Sequence, residues 1–311
     1  MPVRSRSTQS GKSTLQMTNR VVLITQQASL HYSKKHIIIE FEWGKASEKI
    51  PLEDLSVLLL EHRQISLTSS VLYYCAEHNV ALITCDDRHH PVALSQPLAK
   101  QTLHSKIFRE QIQAKQPRLK SLWKSIIRSK IANQARMLEL AGGNATPLKA
   151  MASKVKSGDP ENLEARASVI YWKELFGKDF VRNRDLPGVN SLLNYGYSLI
   201  RASVAKAIVS AGLHPAFSIF HRNQYNPFCM ADDLMEPYRP FVDKVVWKHV
   251  LSGKEPELTK STKHALLSLL ISRYSTAGKQ QPLFHSLAYY VNQVIEWLRG
   301  ENVDLKTPVL K

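Results

Sequence analysis

The sequence is poor in cysteine and in long apolar runs. Its 311 residues include three cysteines, Cys75, Cys85 and Cys229, which are too far apart to form a CxxC pair. This spacing disfavours a structural zinc site of thiolates, and an odd cysteine count without a disulfide framework favours the reducing cytoplasm. No apolar run approaches the length of about eighteen residues that is needed to span a bilayer, so a membrane is not expected as a partner.

Acidic residues are scarce relative to basic ones. The chain has 42 Lys and Arg against 26 Asp and Glu, which gives a net charge of +16 at pH 7. Such an excess favours a polyanionic partner, nucleic acid above all, over a protein that is merely basic. The hydrophobic content of 43% is that of a globular protein and excludes global disorder.

The pattern of apolar residues changes once along the chain. Residues 18–97 contain short β-branched and aromatic runs, such as RVVLIT (20–25) and HIIIEFEW (36–43), which are typical of strands. Over residues 98–311 the apolar residues recur at helical spacing. The sequence therefore predicts an α+β protein, with a small N-terminal β-rich domain followed by a larger all-helical domain. The basic, Ser- and Thr-rich residues 1–17 are expected to form a disordered arm.

A basic segment opens the predicted helical domain. Residues 101–140 hold nine Lys or Arg and only two acidic residues. Lys120, Lys124 and Arg128 are spaced four apart, so they line one stripe of a helix. A solvated face or a membrane-surface helix is the alternative, but charges of a single sign favour contacts with phosphates. This stripe is predicted to bind nucleic acid.

A second segment, FHRNQYNPFCMADDLMEPYRP (220–240), is crowded with ionisable side chains. It contributes one imidazole and three carboxylates, those of His221, Asp232, Asp233 and Glu236. Carboxylates on one face of a turn repel one another unless a cation offsets them, and with water they suit Mg²⁺ or Mn²⁺. Three alternatives remain open at this point: Asp232 as a helix N-cap, Glu236 paired with Arg239, and His221 as a core histidine. Pro237 disfavours helical geometry at Glu236, so a distorted turn is expected there.

A third segment, GDPENLEARASVIYWKELFG (158–177), carries an acid among small residues. Glu164 is followed by Ala165 and Ala167, which permit close helix packing and burial of the carboxylate. A buried carboxylate needs a partner or a metal ion. Alternatively, Arg166 and Ser168 solvate it.

Three stretches carry a resemblance to a known family. ENLEARASVIYW (161–172) and the residues from Asn190 to Asp243 resemble the CRISPR-associated integrase of the adaptation module, the Cas-one family. The stretch ISLTSSVLYYCAEHNVALITCDDRHHPVAL (65–94) is similar to the same family, and DLMEPYRP is most similar to its type II members. The resemblance extends from Met17 to about Gly300.

The resemblance implies a β domain joined to a helical catalytic domain, with homodimers formed through the β domain and bridged by a dimer of the small partner Cas-two. It implies insertion of short double-stranded DNA fragments (spacers) into a CRISPR repeat, with a DNA 3′-hydroxyl attacking a phosphodiester. Mg²⁺ or Mn²⁺ would be held by Glu164, His221 and Glu236, with Asp233 and Asp232 in support. The expected contacts to the DNA backbone are those of Lys120, Lys124, Arg128, Arg222, Arg239 and Lys248.

Two rival functions remain compatible with the same residues. One is a metal-dependent nuclease that cuts branched or single-stranded nucleic acid without integrating it. The other is a non-enzymatic nucleic-acid scaffold in which the acids serve as caps and ion pairs.

Overall fold

The computed structural model describes residues 20–42, 47–87, 91–95 and 102–311. The arm predicted for residues 1–17 lies outside these ranges. Within them, no helix combines the length and the apolar character needed to cross a bilayer.

The N-terminal region is built from strands, as predicted. They are β1 (Arg20–Ile24), β2 (Ala28–Ser33), β3 (His36–Phe41), β4 (Glu48–Pro51), β5 (Leu55–Leu60), β6 (Ile65–Leu67), β7 (Ala81–Cys85) and β8 (Pro91–Ser95). One sheet has the order β1-β5-β7-β8, with β1, β5 and β7 parallel and β8 antiparallel to β7. The other has the order β4-β3-β2-β6. The short helix α1 (Ser69–Glu77) connects β6 to β7.

The central strand β5 is buried along its whole length. Successive side chains of a strand point to opposite faces of the sheet. Val57 and Leu59 accordingly pack into the core of the helices, whereas Leu58 and Leu60 pack into the core formed with the second sheet and α1. The first sheet is thus a layer shared by two cores, and it seats the helices against the strand region.

The C-terminal region is mainly helical. Its helices are α2 (His104–Ile112), α3 (Gln116–Ala141), α4 (Thr146–Lys154), α5 (Leu163–Phe176), α6 (Val189–Ser210), α7 (Cys229–Leu234), α8 (Arg239–Leu251), α9 (Lys260–Ser268) and α10 (Leu283–Arg299). Helix α6 packs against α7, α8, α9 and α10. Gly196 allows the close approach of α8, because a Cβ atom there would lie 2.3 Å from Val242 Cγ1. This contact helps to position α8, whose first residue, Arg239, lies at the end of the segment 220–240.

The prediction of an all-helical second domain is wrong in one place. Strands β9 (Arg273–Thr276) and β10 (Lys279–Pro282) form an antiparallel pair within the region where helical spacing predicted helices alone. The two residues between them, Ala277 and Gly278, both have positive φ, at 50° and 79°. Two such residues make the tight turn that the twist of paired strands requires, and this local chemistry overrides helical spacing. The change from strands to helices lies between Ser95 and His104, and the precise boundary between residues 97 and 98 stays a prediction.

Candidate active site

The acidic residues of the segment 220–240 lie in a short helix and in the tighter turn that follows it. Helix α7 ends at Leu234, and Glu236–Tyr238 form a single 3₁₀ turn before α8 begins. Pro237 explains the break, since a proline disfavours α geometry in the residue that precedes it. The turn buries the Glu236 side chain, which is 7% exposed, and directs it toward α3.

Glu164 lies in the first turn of α5. That turn is fixed from outside the helix by the carboxylate of Asp159, which accepts the backbone N–H groups of Leu163 at 3.0 Å and Glu164 at 2.9 Å. A carboxylate at this position satisfies helix N–H groups that have no partner within the helix. The half-buried Glu164 side chain faces α3, not Arg166 or Ser168 of its own helix.

Lys130 of α3 connects the two glutamates. Its Nζ lies 2.6 Å from Glu164 Oε1 and 2.5 Å from Glu236 Oε2. The second contact is an ion pair by distance, although its angles are not those of a hydrogen bond. The other oxygen of Glu236 accepts a hydrogen bond from Arg239 Nε at 2.8 Å, so the pairing with Arg239 that the sequence left open does occur.

These contacts keep the buried groups ionised. Burial raises the pKa of Glu236, but Arg239 and Lys130 outweigh it and bring that pKa down to about 2. Burial likewise lowers the pKa of Lys130, and the charges of Glu236 and Glu164 more than offset it, so the net shift is upward. Glu236 is therefore a charged carboxylate and Lys130 a charged ammonium group at neutral pH.

His221 is oriented by Asp233. Its Nδ1 lies 2.6 Å from Asp233 Oδ1, and Asp233 Oδ2 accepts the backbone N–H groups of Ile219 at 2.8 Å and Phe220 at 2.7 Å. The hydrogen bond to Asp233 is the main reason why the pKa of His221 is raised. Because the imidazole is 54% exposed, His221 is not a core histidine. Asp233 engages Nδ1 and leaves Nε2 as the nitrogen available for a metal or a substrate.

Asp232 has a different partner. Its Oδ1 lies 2.9 Å from Arg201 Nε, and its Oδ2 accepts a hydrogen bond from Asn226 at 2.7 Å. Arg201 also donates to the Asn226 side chain at 2.8 Å. The two neighbouring aspartates thus hold two different groups, an imidazole and a guanidinium.

A further group of hydrogen-bonded polar residues lies next to Arg239, the partner of Glu236. Tyr171 and Tyr197 donate hydrogen bonds to the buried carboxylate of Asp243 at 2.8 Å and 2.5 Å. Burial raises the pKa of Asp243 to about 6, although both tyrosine hydrogen bonds act in the opposite direction. The guanidinium of Arg239 lies over the Tyr197 ring, 4.6 Å from its centroid. This packing fixes the arginine that holds Glu236.

Part of this network lines an open cleft of ≈ 870 Å³. Of the residues predicted for the site, it contains Glu164, His221, Asp232, Glu236, Arg222 and Arg239. Asp233 lies behind His221. The remaining predicted DNA contacts lie on other surfaces of α3 and α8 and not among the described residues of the cleft; they are Lys120, Lys124, Arg128 and Lys248.

Several residues of the site were missed from the sequence, namely Lys130, Arg182, Arg184, Tyr197, Arg201 and Asp243. For Lys130 a signal was present. It falls four residues after Ile126 and three after Ile127, on the apolar stripe of α3, where an unpaired charge would be costly. The arginines carry no comparable signal, because the segments that bring them together are distant in the chain.

The donor set can be tested against a divalent metal ion. Among the described residues, no three or more His, Cys, Asp or Glu side chains form a preorganised metal site. The ammonium of Lys130 lies between the two glutamates. Two carboxylate oxygens thus converge on one cation, and within the described part of the chain Glu236 Oε2 has no partner with hydrogen-bond geometry. Carboxylates with an imidazole are ligands that Mg²⁺ or Mn²⁺ accept, so the residues fit such an ion.

Comparison with known proteins identifies the family. The family model described as "CRISPR associated protein Cas1" matches residues 21–268. A "CRISPR-associated endonuclease Cas1" from Neisseria meningitidis serogroup C (strain 8013) is 38% identical over 257 residues, or 82% of this chain and 84% of the relative. The chain belongs to the Cas1 family of CRISPR-associated proteins, which confirms the family resemblance.

Solved structures share the fold. A casposase bound to an integration product has a TM-score of 0.76 with 21% identity, and the match covers 95% of each chain. A chain of a Cas6-RT-Cas1–Cas2 complex has a TM-score of 0.70 with 19% identity, over 94% of this chain and 36% of that longer one.

Proposed function

We propose that this protein is a metal-dependent DNA endonuclease and integrase that inserts short double-stranded DNA fragments into a CRISPR repeat. One observation carries the proposal: Glu164, Glu236 and His221, from two separate segments of the chain, line one cleft together with five arginines, Arg182, Arg184, Arg201, Arg222 and Arg239. Carboxylates and an imidazole suit a divalent ion, and guanidinium groups suit phosphate oxygens. The relative at 38% identity is named an endonuclease, and the casposase of similar fold is bound to an integration product.

The proposed reaction is a transesterification. The 3′-hydroxyl of the incoming DNA attacks a phosphorus atom of the repeat and loses its proton. A new P–O bond forms, the P–O bond to the repeat strand breaks, and the leaving oxygen takes up a proton. No protein nucleophile and no oxidant are required. Mg²⁺ or Mn²⁺, when bound, supplies a Lewis acid that polarises the phosphoryl oxygen.

The residues of the chain divide the remaining work. Glu164, Glu236 and His221 would hold the metal ion, and Asp233 fixes the imidazole so that Nε2 is the nitrogen left for it. Asp232 and Asn226 hold Arg201 in the cleft, where it contacts a phosphate of the bound strand. Arg222 and Arg239 line the same cleft. The exposed Lys120, Arg128 and Lys248, with half-buried Lys124, bind duplex backbone farther from the reacting phosphate.

The partners follow from the family. We propose a homodimer formed through the strand region, and two such dimers bridged by a dimer of Cas2. The similar fold of the chain in a Cas6-RT-Cas1–Cas2 complex supports a Cas2 partner. The three free cysteines, Cys75, Cys85 and Cys229, support work in the reducing cytoplasm.

Strand joining on a labelled repeat tests the proposal. Glu164→Gln removes one ligand at nearly constant volume and is expected to abolish Mn²⁺-dependent joining while duplex binding persists. Glu174→Gln, an exposed change on the same helix, is the matched control and should join normally. Cutting without any joined product in the wild-type protein would favour a nuclease without integration. Joining that survives chelation of all metal would contradict the metal site.

A further inference from the structure

Lys130 is a buried cation that the proposed mechanism does not use. Its side chain is 9% exposed, and its ammonium bridges carboxylates from two separate elements, α5 and the turn before α8. Both carboxylates are proposed metal ligands. A lysine at this point has a direct consequence for how a metal ion enters the cleft.

The ammonium and a metal ion would occupy the same position. Mg²⁺ binds carboxylate oxygens at about 2.0–2.1 Å and needs them to converge. Lys130 Nζ lies 2.6 Å and 2.5 Å from the two oxygens that converge here, so it stands where a bridging cation would bind. Two cations cannot share that position, because the cost of contact between like charges is high away from bulk water.

We propose that Lys130 is a built-in countercation: it neutralises Glu164 and Glu236 in the metal-free protein and competes with the divalent ion for them. This inference rests on the proposed function, since it takes the two glutamates as metal ligands. Lys130 stabilises the metal-free fold, because the half-buried Glu164 and the buried Glu236 would repel each other without a cation between them. For the same reason it weakens metal binding, which must displace the ammonium.

The surrounding contacts allow this exchange without moving the helices. Asn133, one turn after Lys130, donates a hydrogen bond to the Pro237 carbonyl at 3.0 Å and so ties α3 to the turn that carries Glu236. Arg239 holds the other oxygen of Glu236. The lysine stem is flexible, so the ammonium can leave the carboxylates while the backbone stays in place.

The chain offers a matched control for Lys130. Lys263 is also buried, with 9% side-chain exposure, and its Nζ lies 2.5 Å from Glu61 Oε1. Glu61 follows β5, and Lys263 lies in α9, so this pair joins the strand region to the helices. Lys263→Met therefore reproduces the loss of a buried lysine and its ion pair without touching a proposed metal ligand.

The experiment is a calorimetric titration of the full chain with Mn²⁺, without DNA, together with thermal unfolding in the presence and absence of Mn²⁺. Lys130→Met is expected to bind Mn²⁺ at least about tenfold more tightly than the wild type, since a competing unit charge is gone. Its metal-free form should melt at a lower temperature and gain more from Mn²⁺. Lys263→Met should also melt at a lower temperature, with the Mn²⁺ affinity of the wild type. If Lys130→Met does not fold, Lys130→Gln is measured with the same expectation.

The outcomes separate this inference from the function on which it rests. If the wild type binds Mn²⁺ and the neutral Lys130 variant binds it equally or more weakly, the countercation is refuted while the metal site stands. If the wild type and the variant both fail to bind Mn²⁺, the metal site and the inference are overturned together. A gain in affinity that Lys263→Met shares would also refute the inference, because the effect would then come from loosening of the fold.

Discussion

The two faces of α3 use positive charge in opposite ways. Lys120 and Arg128 are exposed to solvent, whereas Lys130, two residues further on, is buried. Two residues correspond to about 200° around a helix, so Arg128 and Lys130 face opposite sides. Exposed charges are hydrated and remain free to meet a partner, but a buried charge requires fixed partners within the protein. Basic residues of one helix are thus exposed on one face, where we propose that they bind DNA, and paired with two carboxylates on the other.

The largest effect on strand joining is expected from neutralising Glu236, which pairs with Lys130 of the buried face of α3. Glu236→Gln removes a proposed metal ligand and leaves Lys130 and Arg239 without one carboxylate charge between them. We expect strand joining to fall by at least about 1,000-fold, by analogy with the loss of a central catalytic group. Duplex affinity should stay equal or rise, because the cleft loses a negative charge. Joining within tenfold of the wild type would remove Glu236 from the reaction.

A smaller effect on strand joining is expected from changing Asp233, which contacts the proposed ligand His221. Asp233→Asn weakens the hold on His221 Nδ1 while preserving size, and joining or Mn²⁺ affinity should fall by about 10- to 100-fold. Asp232→Asn is the comparison, since it changes the neighbouring acid that holds Arg201 instead. Its deficit should appear in DNA affinity more than in Mn²⁺ affinity. Identical profiles for the two variants would contradict the separate roles assigned to them.

The exposed face is tested by removing its three charges together. Combining Lys120→Gln, Lys124→Gln and Arg128→Gln should reduce the slope of log K for duplex binding against log salt by about 3, at roughly 0.9 per phosphate contact. The Mn²⁺ affinity should not change. The control removes the same charge from the strand region, through Lys34→Gln, Lys35→Gln and Lys49→Gln, which are exposed positions. An unchanged slope in the α3 variant would exclude this stripe from the interface.

The smallest effect is expected from a single exposed charge. Lys248→Gln in the last turn of α8 should lower the salt slope by about 0.9 and leave joining at saturating DNA unchanged. A loss of joining at saturating DNA would place Lys248 in the reaction itself, contrary to its position outside the described lining of the cleft.

The sequence predicted the local elements well because their signals are local. The apolar spacing of α3 and the β-branched runs of β1, β2 and β3 led to elements close to those observed. The β9–β10 pair was missed, because a two-residue turn with positive φ at Ala277 and Gly278 interrupts a helical pattern. Prediction from spacing fails where a few turn residues decide the backbone path.

The candidate site, too, was predictable only where its signals are local in the sequence. The sequence by itself determined which residues are chemically capable: Glu164, His221 and Glu236 were selected from residue type, spacing and family resemblance. Only the tertiary structure decided their partners, because a pairing such as Lys130 with Glu164 and Glu236 joins residues 34 and 106 positions apart. It also separated Asp232 from Asp233, which are adjacent in the chain and hold different groups. The sequence determines the chemistry of each side chain, whereas the packing of the helices determines the distances between their charges.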